Sequence, residues 1–234
     1  MENIIRTSEM LSAVKWYFEL KNLSLRNALA LRCPLSVNSQ KDLRQYYSQY
    51  FSGLLSATEL FLEKEYPNNT SFKNLLYKKL SFENFPDGEK NYSYLRELRN
   101  SIIHRGLDIS SEAHVNDGFP LIISPSPVTN RSGAASHNAF GYYLIEIIEK
   151  CEYVMRDVFL EHFDEFGLMA RSLPQEAVID LIEKFISNST AMPDWVKKSA
   201  LAHIKDINHE EVHQASMNSL IETLKTDVLS QCVI

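Results

Sequence analysis

The sequence predicts an all-α protein, and three observations predict it. Glycine and proline are scarce, 7 and 8 in 234 residues, whereas an all-β sandwich needs a turn signal every ~8 to 12 residues. Apolar residues recur at helical spacing along most of the chain. The composition, 44% hydrophobic and 23% charged, is that of an ordinary globular chain and excludes a disordered, collagen-like or low-complexity one.

The elements follow in order. Leu11, Val14, Tyr17, Phe18 and Leu20 approximate one face of a helix over residues 8–20, with Thr7 or Ser8 to cap it. Residues 23–38 are ambiguous, holding at most a short helix that Pro34 must end. Ser39, with Asp42 three residues on, is expected to cap a long helix that stops before Pro67. Its broad apolar face runs from Leu43 through Tyr47, Phe51 and Thr58 to Leu62. The aromatic groups Trp16 to Phe18 and Tyr46 to Phe51 are read as core. A short helical segment near residues 72–80 leads to the turn chemistry of Pro86, Asp87 and Gly88.

Tyr94, Leu95, Leu98 and Ile102 then mark a further helix, with Gly106 placed to terminate it. The segment 107–136 mixes β-formers with proline and serine and is expected to be a long loop with at most a small hairpin. Leu144, Ile147, Ile148, Cys151, Met155, Val158 and Phe159 give the clearest helix of the chain. Three shorter helices follow, capped by Ser172 with Gln175, started by Pro193, and capped by Asn208 with Glu211. The expected division is a helical bundle over 1–165 and a C-terminal helical region over 170–234.

A net charge of −6 gives no general attraction to phosphate backbones, so any contact with nucleic acid has to be local. Cys33, Cys151 and Cys232 are odd in number and widely spaced, which implies neither a disulfide framework nor a zinc knuckle. No apolar run approaches the ~18 residues of a membrane span. A soluble protein of the reducing cytoplasm is expected.

Within "YLRELRNSIIHRG", Arg99 is followed at once by the polar Asn100 and, five positions on, by His104 at a helix end. Arg131 with His137 and Arg156 with His162, each pair six positions apart, are further Arg and His matches of similar spacing, but the first lies in a Gly/Ser loop and His162 falls beside an apolar stripe. Only the first match sits on a helix between two long core helices. There it resembles the catalytic motif of the HEPN superfamily, an arginine and a histidine separated by four to six residues. The resemblance implies a four-helix HEPN-like bundle over about residues 1–165 acting as a metal-independent endoribonuclease. It also implies a homodimer with a composite site, an RNA substrate, and a cognate antitoxin or another defence-system partner. One branch carries a modifiable tyrosine two residues after the histidine; here that place is Gly106. Some members of the superfamily are silent, and a helical dimerisation or interaction module is the alternative reading.

The chemistry suits the residue types. Histidine titrates near neutrality, so His104 would move a proton at a ribose 2′-hydroxyl or a leaving oxygen. Arg99 would hold phosphoryl oxygens through its planar fork, and Asn100 would orient the phosphate or the imidazole. Arg99 and His104 lie ~140° apart around one helix, so a two-fold pairing of helices is needed to build a pocket. Glu59 is read either as a partner for Arg99 or as a solvated glutamate. Arg96, Arg99, Arg105 and Arg131 are candidates for a local basic patch. No cofactor and no metal ion is expected. The "HEEVH" at 209–213 is a literal HExxH pattern, but its setting reads better as a polar first helical turn in which Glu210 and Glu211 complement the helix dipole.

Overall fold

The computed structural model describes residues 2–231; Cys232 lies outside the described residues. Among these residues, helices α1 (Glu2–Leu29), α2 (Val37–Leu62), α3 (Asn69–Lys79), α4 (Gly88–Arg105) and α5 (Leu144–Glu165) surround the main core. Helices α6 (Gln175–Asn188), α7 (Asp194–His203) and α8 (His209–Lys225) follow, with a 3₁₀ turn over Ile204–Asp206. The class is all-α, and no helix among the described residues is long and apolar enough to cross a membrane.

α1 and α2 form an antiparallel pair, and one glycine sets their separation. A Cβ on Gly53 would stand 2.8 Å from the Tyr17 carbonyl oxygen and 3.2 Å from Lys21 Cβ, so the two backbones meet where no side chain fits. α1 exceeds the expected span because Leu25, Ala28 and Leu29 are buried and carry the apolar face past residue 20. Trp16, read as core, is 58% exposed, since α1 turns that side away from α2 and α5. α2 begins two residues before the expected cap: Ser36 Oγ accepts the Ser39 amide at 3.1 Å, which puts Ser39 inside the first turn.

A buried polar joint ties three helices. Lys21 Nζ (α1) donates to both carboxylate oxygens of Glu152 (α5) at 2.8 Å and to Asn22 Oδ1 at 2.8 Å. Tyr50 Oη (α2) donates to Glu152 Oε1 at 2.8 Å. Burial pushes the Lys21 ammonium below its ordinary pKa and the adjacent Glu152 opposes that push. An ammonium out of water persists only where its protons are taken up, which this joint does.

At the other end of α5, Phe61, Tyr66, Phe72 and Phe166 pack around His162, whose Nε2 lies 2.7 Å from the Tyr66 hydroxyl. Burial lowers the His162 pKa from 6.5 to about 4.

The 107–136 segment holds more order than expected. β1 (Ala113–Asn116) pairs antiparallel with β2 (Phe119–Ile122), joined by Asp117 and Gly118, both at positive φ. This is the two-residue turn that an Asp-Gly dipeptide favours. β3 (Val128–Thr129) pairs with β4 (Ser136–His137) and lies against α4. Beyond α5, α6 begins after Pro174 with no side-chain cap, so Ser172 and Gln175 do not form the expected box. Asn208 does cap α8, its Oδ1 accepting the Glu211 amide at 3.2 Å. α8 packs on α1 and α5, adding Met217, Leu220 and Leu224 to the same core.

Two outcomes follow from the buried polar groups. Lys21→Met should cost about 3–5 kcal/mol in urea unfolding, because Glu152 is left buried and uncompensated. Adding Glu152→Gln, which removes that charge and keeps an acceptor for Tyr50, should recover much of it. For His162 the folded state stays neutral while the unfolded chain takes up a proton near pH 6.5. Stability is therefore full above pH 6.5 and falls by about 3 kcal/mol as the pH drops toward 4. Urea midpoints of wild type and His162→Gln, compared at pH 7 and 4.5, should show a smaller fall in the variant.

Candidate functional site

α4 carries the residues singled out in the sequence, and its ends explain how they are held. Asp87, read as part of a turn, is the N-cap: its Oδ1 accepts the Lys90 amide at 3.0 Å. Gly88 starts the helix where a Cβ would lie 1.8 Å from the Tyr77 carbonyl oxygen. Tyr92, Leu95, Leu98 and Ile102 are buried, which fixes the rotation of the helix. Asn100 and His104, four residues apart, therefore share one outward side. Gly106, at φ 72°, closes the helix as expected, with the Leu107 amide donating to the Ser101 carbonyl at 3.0 Å.

Asn100 and His104 line one open cleft of about 760 Å³. Glu97 and Arg105 of α4 form part of its wall, and Asn130, Arg131 and Ser132, from the tip between β3 and β4, form the rest. His104 is exposed and makes no hydrogen bond among the described residues. Asn100 Nδ2 reaches Glu97 Oε1 at 3.5 Å. Arg105 donates to the Glu97 carbonyl at 3.1 Å and to Ser101 Oγ, and faces the Glu97 carboxylate at 3.5 Å.

Arg99 is not brought into this cleft. Its guanidinium crosses to α2 and donates to Glu59 Oε1 at 2.5 Å, so Glu59 is the partner rather than a solvated side chain. Arg99 Nε is buried without a hydrogen-bond partner among the described residues. Of the four arginines in the expected basic patch, the cleft takes Arg105 and Arg131 and leaves out Arg96 and Arg99. Asn130 and Ser132 went unread as site residues; the turn signal "NRSG" marks the tip but not what it faces.

The other Arg and His spacings do not assemble a site. Arg156 pairs with Asp157 at 3.1 Å while His162 is buried against Tyr66, and His137 sits in β4 outside the cleft. His209 and His213 line a separate, mostly apolar cavity of about 330 Å³ between α1, α6 and α8. His213 Nε2 donates to the Met169 carbonyl at 3.0 Å, and no three His, Cys, Asp or Glu side chains gather there as a metal site would require among the described residues. No family model, no curated protein and no solved structure matches the chain. The likeness to HEPN domains rests on the residues and their spacing.

The Arg99–Glu59 pair should be measurable as a coupling. A double-mutant cycle of Arg99→Gln and Glu59→Gln, read by urea unfolding, should return about 1 kcal/mol, since Glu59 is partly solvated. A value near zero would show that the pair does nothing to hold α4 on α2.

Proposed function

We propose that this protein is a metal-independent endoribonuclease that cleaves at the His104 cleft and acts as a homodimer. The observation that supports it is the convergence of His104 and Asn100 with two arginines, one from a distant hairpin, in a single open cleft of a protein whose net charge is −6. Two arginines in one wall, beside Glu97, give a phosphate backbone a local place to bind on a protein of negative net charge.

The reaction needs no group from outside the chain. The ribose 2′-oxygen attacks the adjacent phosphorus, the bond from phosphorus to O5′ breaks, and the products end in a 2′,3′-cyclic phosphate and a 5′-hydroxyl. A neutral imidazole takes the 2′-hydroxyl proton and an imidazolium returns one to O5′. One histidine cannot hold both states in the same step. Two copies of His104, brought together by a two-fold axis, supply both, and Asn100 on the same side orients either the phosphate or the imidazole. Ile103, beside His104 and 46% exposed, offers apolar surface for that pairing.

One observation favours the silent interaction module instead: the Arg99 guanidinium is engaged by Glu59 rather than free for a phosphate. The same assay separates the two readings. His104→Ala should lower cleavage of RNA by about 10²- to 10⁴-fold with an unchanged urea midpoint, because an exposed position near the helix end tolerates alanine. Wild-type cleavage should persist in EDTA, leave cyclic phosphate ends, and come from a species that light scattering reports as a dimer. Cleavage that survives His104→Ala, or intact RNA with the wild type, would leave the module.

A further inference from the structure

A phosphodiester bound beside His104 carries one negative charge and gains more as phosphorus becomes five-coordinate, so a cation has to be aimed at it from the wall of the cleft. Three arginines, on α4 or in the cleft, are candidates, and two of them are already engaged. Arg99 is turned toward α2 and paired with Glu59. Arg105 lines the cleft, but its guanidinium is shared between the Glu97 carbonyl, the Glu97 carboxylate and Ser101. Arg131 lines the same cleft and makes neither a hydrogen bond nor an ion pair among the described residues.

Arg131 is also held in place by the turn that carries it. Asn130 N donates to the Ala135 carbonyl at 2.9 Å, and Gly133 N donates back to the Asn130 carbonyl at 3.0 Å. Asn130 Oδ1 accepts from the Ala135 amide at 3.2 Å and from Ser132 Oγ at 3.1 Å. The strands below this tip lie against α4, with Val128 buried. The tip is thus braced from within and seated on the helix that bears His104, so the backbone at Arg131 is set at the cleft wall and the side chain alone is left to be ordered by a ligand.

We infer that Arg131, from the β3–β4 tip, is the residue that contacts the phosphodiester in the His104 cleft. The walls of the cleft, Glu97, Asn100, His104, Arg105, Asn130, Arg131 and Ser132, carry no phenyl, phenol or indole ring on which a base would stack. The ligand class inferred is the sugar–phosphate backbone, and a contact made to phosphate carries no base preference of its own. The inference rests on the ribonuclease reading only for which bond breaks; the contact itself is to phosphate.

The test uses the whole protein and a 2′-O-methyl oligonucleotide, whose blocked 2′-oxygen prevents cleavage, in a uridine and a mixed-sequence form. Fluorescence anisotropy should show both forms binding within a few-fold of each other. Arg131→Ala should weaken both about tenfold or more and reduce the slope of log affinity against log salt by about 0.7, as for one lost phosphate contact on a single strand. Arg131→Lys should restore binding but less of the cleavage of unmodified RNA, because a point charge lacks the planar fork. All variants should keep the wild-type thermal midpoint. Arg131→Ala that binds and cleaves like the wild type overturns the inference and leaves the ribonuclease reading standing if His104→Ala is dead. Wild type that cleaves no RNA overturns the ribonuclease reading, and the phosphate contact is then decided by anisotropy alone: loss in Arg131→Ala upholds it, and unchanged or absent wild-type binding overturns it.

Discussion

The joint of Lys21, Glu152 and Tyr50 is what the rest of this structure depends on. Among the described residues it is where α1, α2 and α5 share a polar contact in the interior. Hydrophobic packing alone would allow the three helices to slide by small steps, because apolar surface is not directional. A buried carboxylate that must meet an ammonium and a phenol at hydrogen-bond distance allows one register. The desolvation of these charges opposes their attraction, so the joint adds little net stability while the loss of one partner is costly. Gly53 makes the same register possible from the other side, by letting α2 approach the backbone of α1 at Tyr17 and Lys21.

The position of the cleft is inherited from that register. α2 carries Glu59, Glu59 holds Arg99, and Arg44 of α2 donates to the Gly106 carbonyl at 3.1 Å. α4 is thus fixed to α2 on both sides of the turn that displays His104. The hairpin tip completes the cleft from 25 residues or more further along the chain, and Tyr94 Oη, donating to the Pro125 carbonyl at 3.0 Å, secures the approach to it. Two arginines, from α4 and from the hairpin tip, thus reach one cleft beside Glu97, while Arg99 is paired away on α2.

The helices were legible in the sequence, because period, caps and terminators are local. Gly106 ends α4 at positive φ and Asn208 caps α8, both as their residue types require. Less legible were features decided at a distance. Lys21 reads as an ordinary surface lysine until Glu152, 131 residues away, is placed beside it. Asp87 is read as a turn residue, although an aspartate three residues before the Lys90 amide it caps is a local signal. In the candidate site, Asn100 and His104 were visible from helical spacing, and the Glu59 pairing was open between two readings. That Arg131 and not Arg99 would line the cleft with His104 was not visible, since a loop arginine has no periodicity to give its direction. The Asp117-Gly118 turn did carry a local signal for β1 and β2, stronger than the surrounding proline and serine suggest.

The docking of α8 beside α1 has a consequence for how the chain acquires its structure during synthesis. Asn22 Nδ2 donates to the Thr223 carbonyl at 3.2 Å, about two hundred residues later, and Leu220 and Leu224 belong to the same core as Leu11 and Val14. Of the helices described, the earliest to leave the ribosome is covered by the latest. Part of the apolar side of α1 must wait in water, or in the care of a chaperone, while everything between is translated, and contacts of such sequence separation close slowly. A chain arrested before α8 would present that uncovered stripe to the cell, and the quality-control machinery would meet it as an unfinished surface rather than as a shorter folded protein.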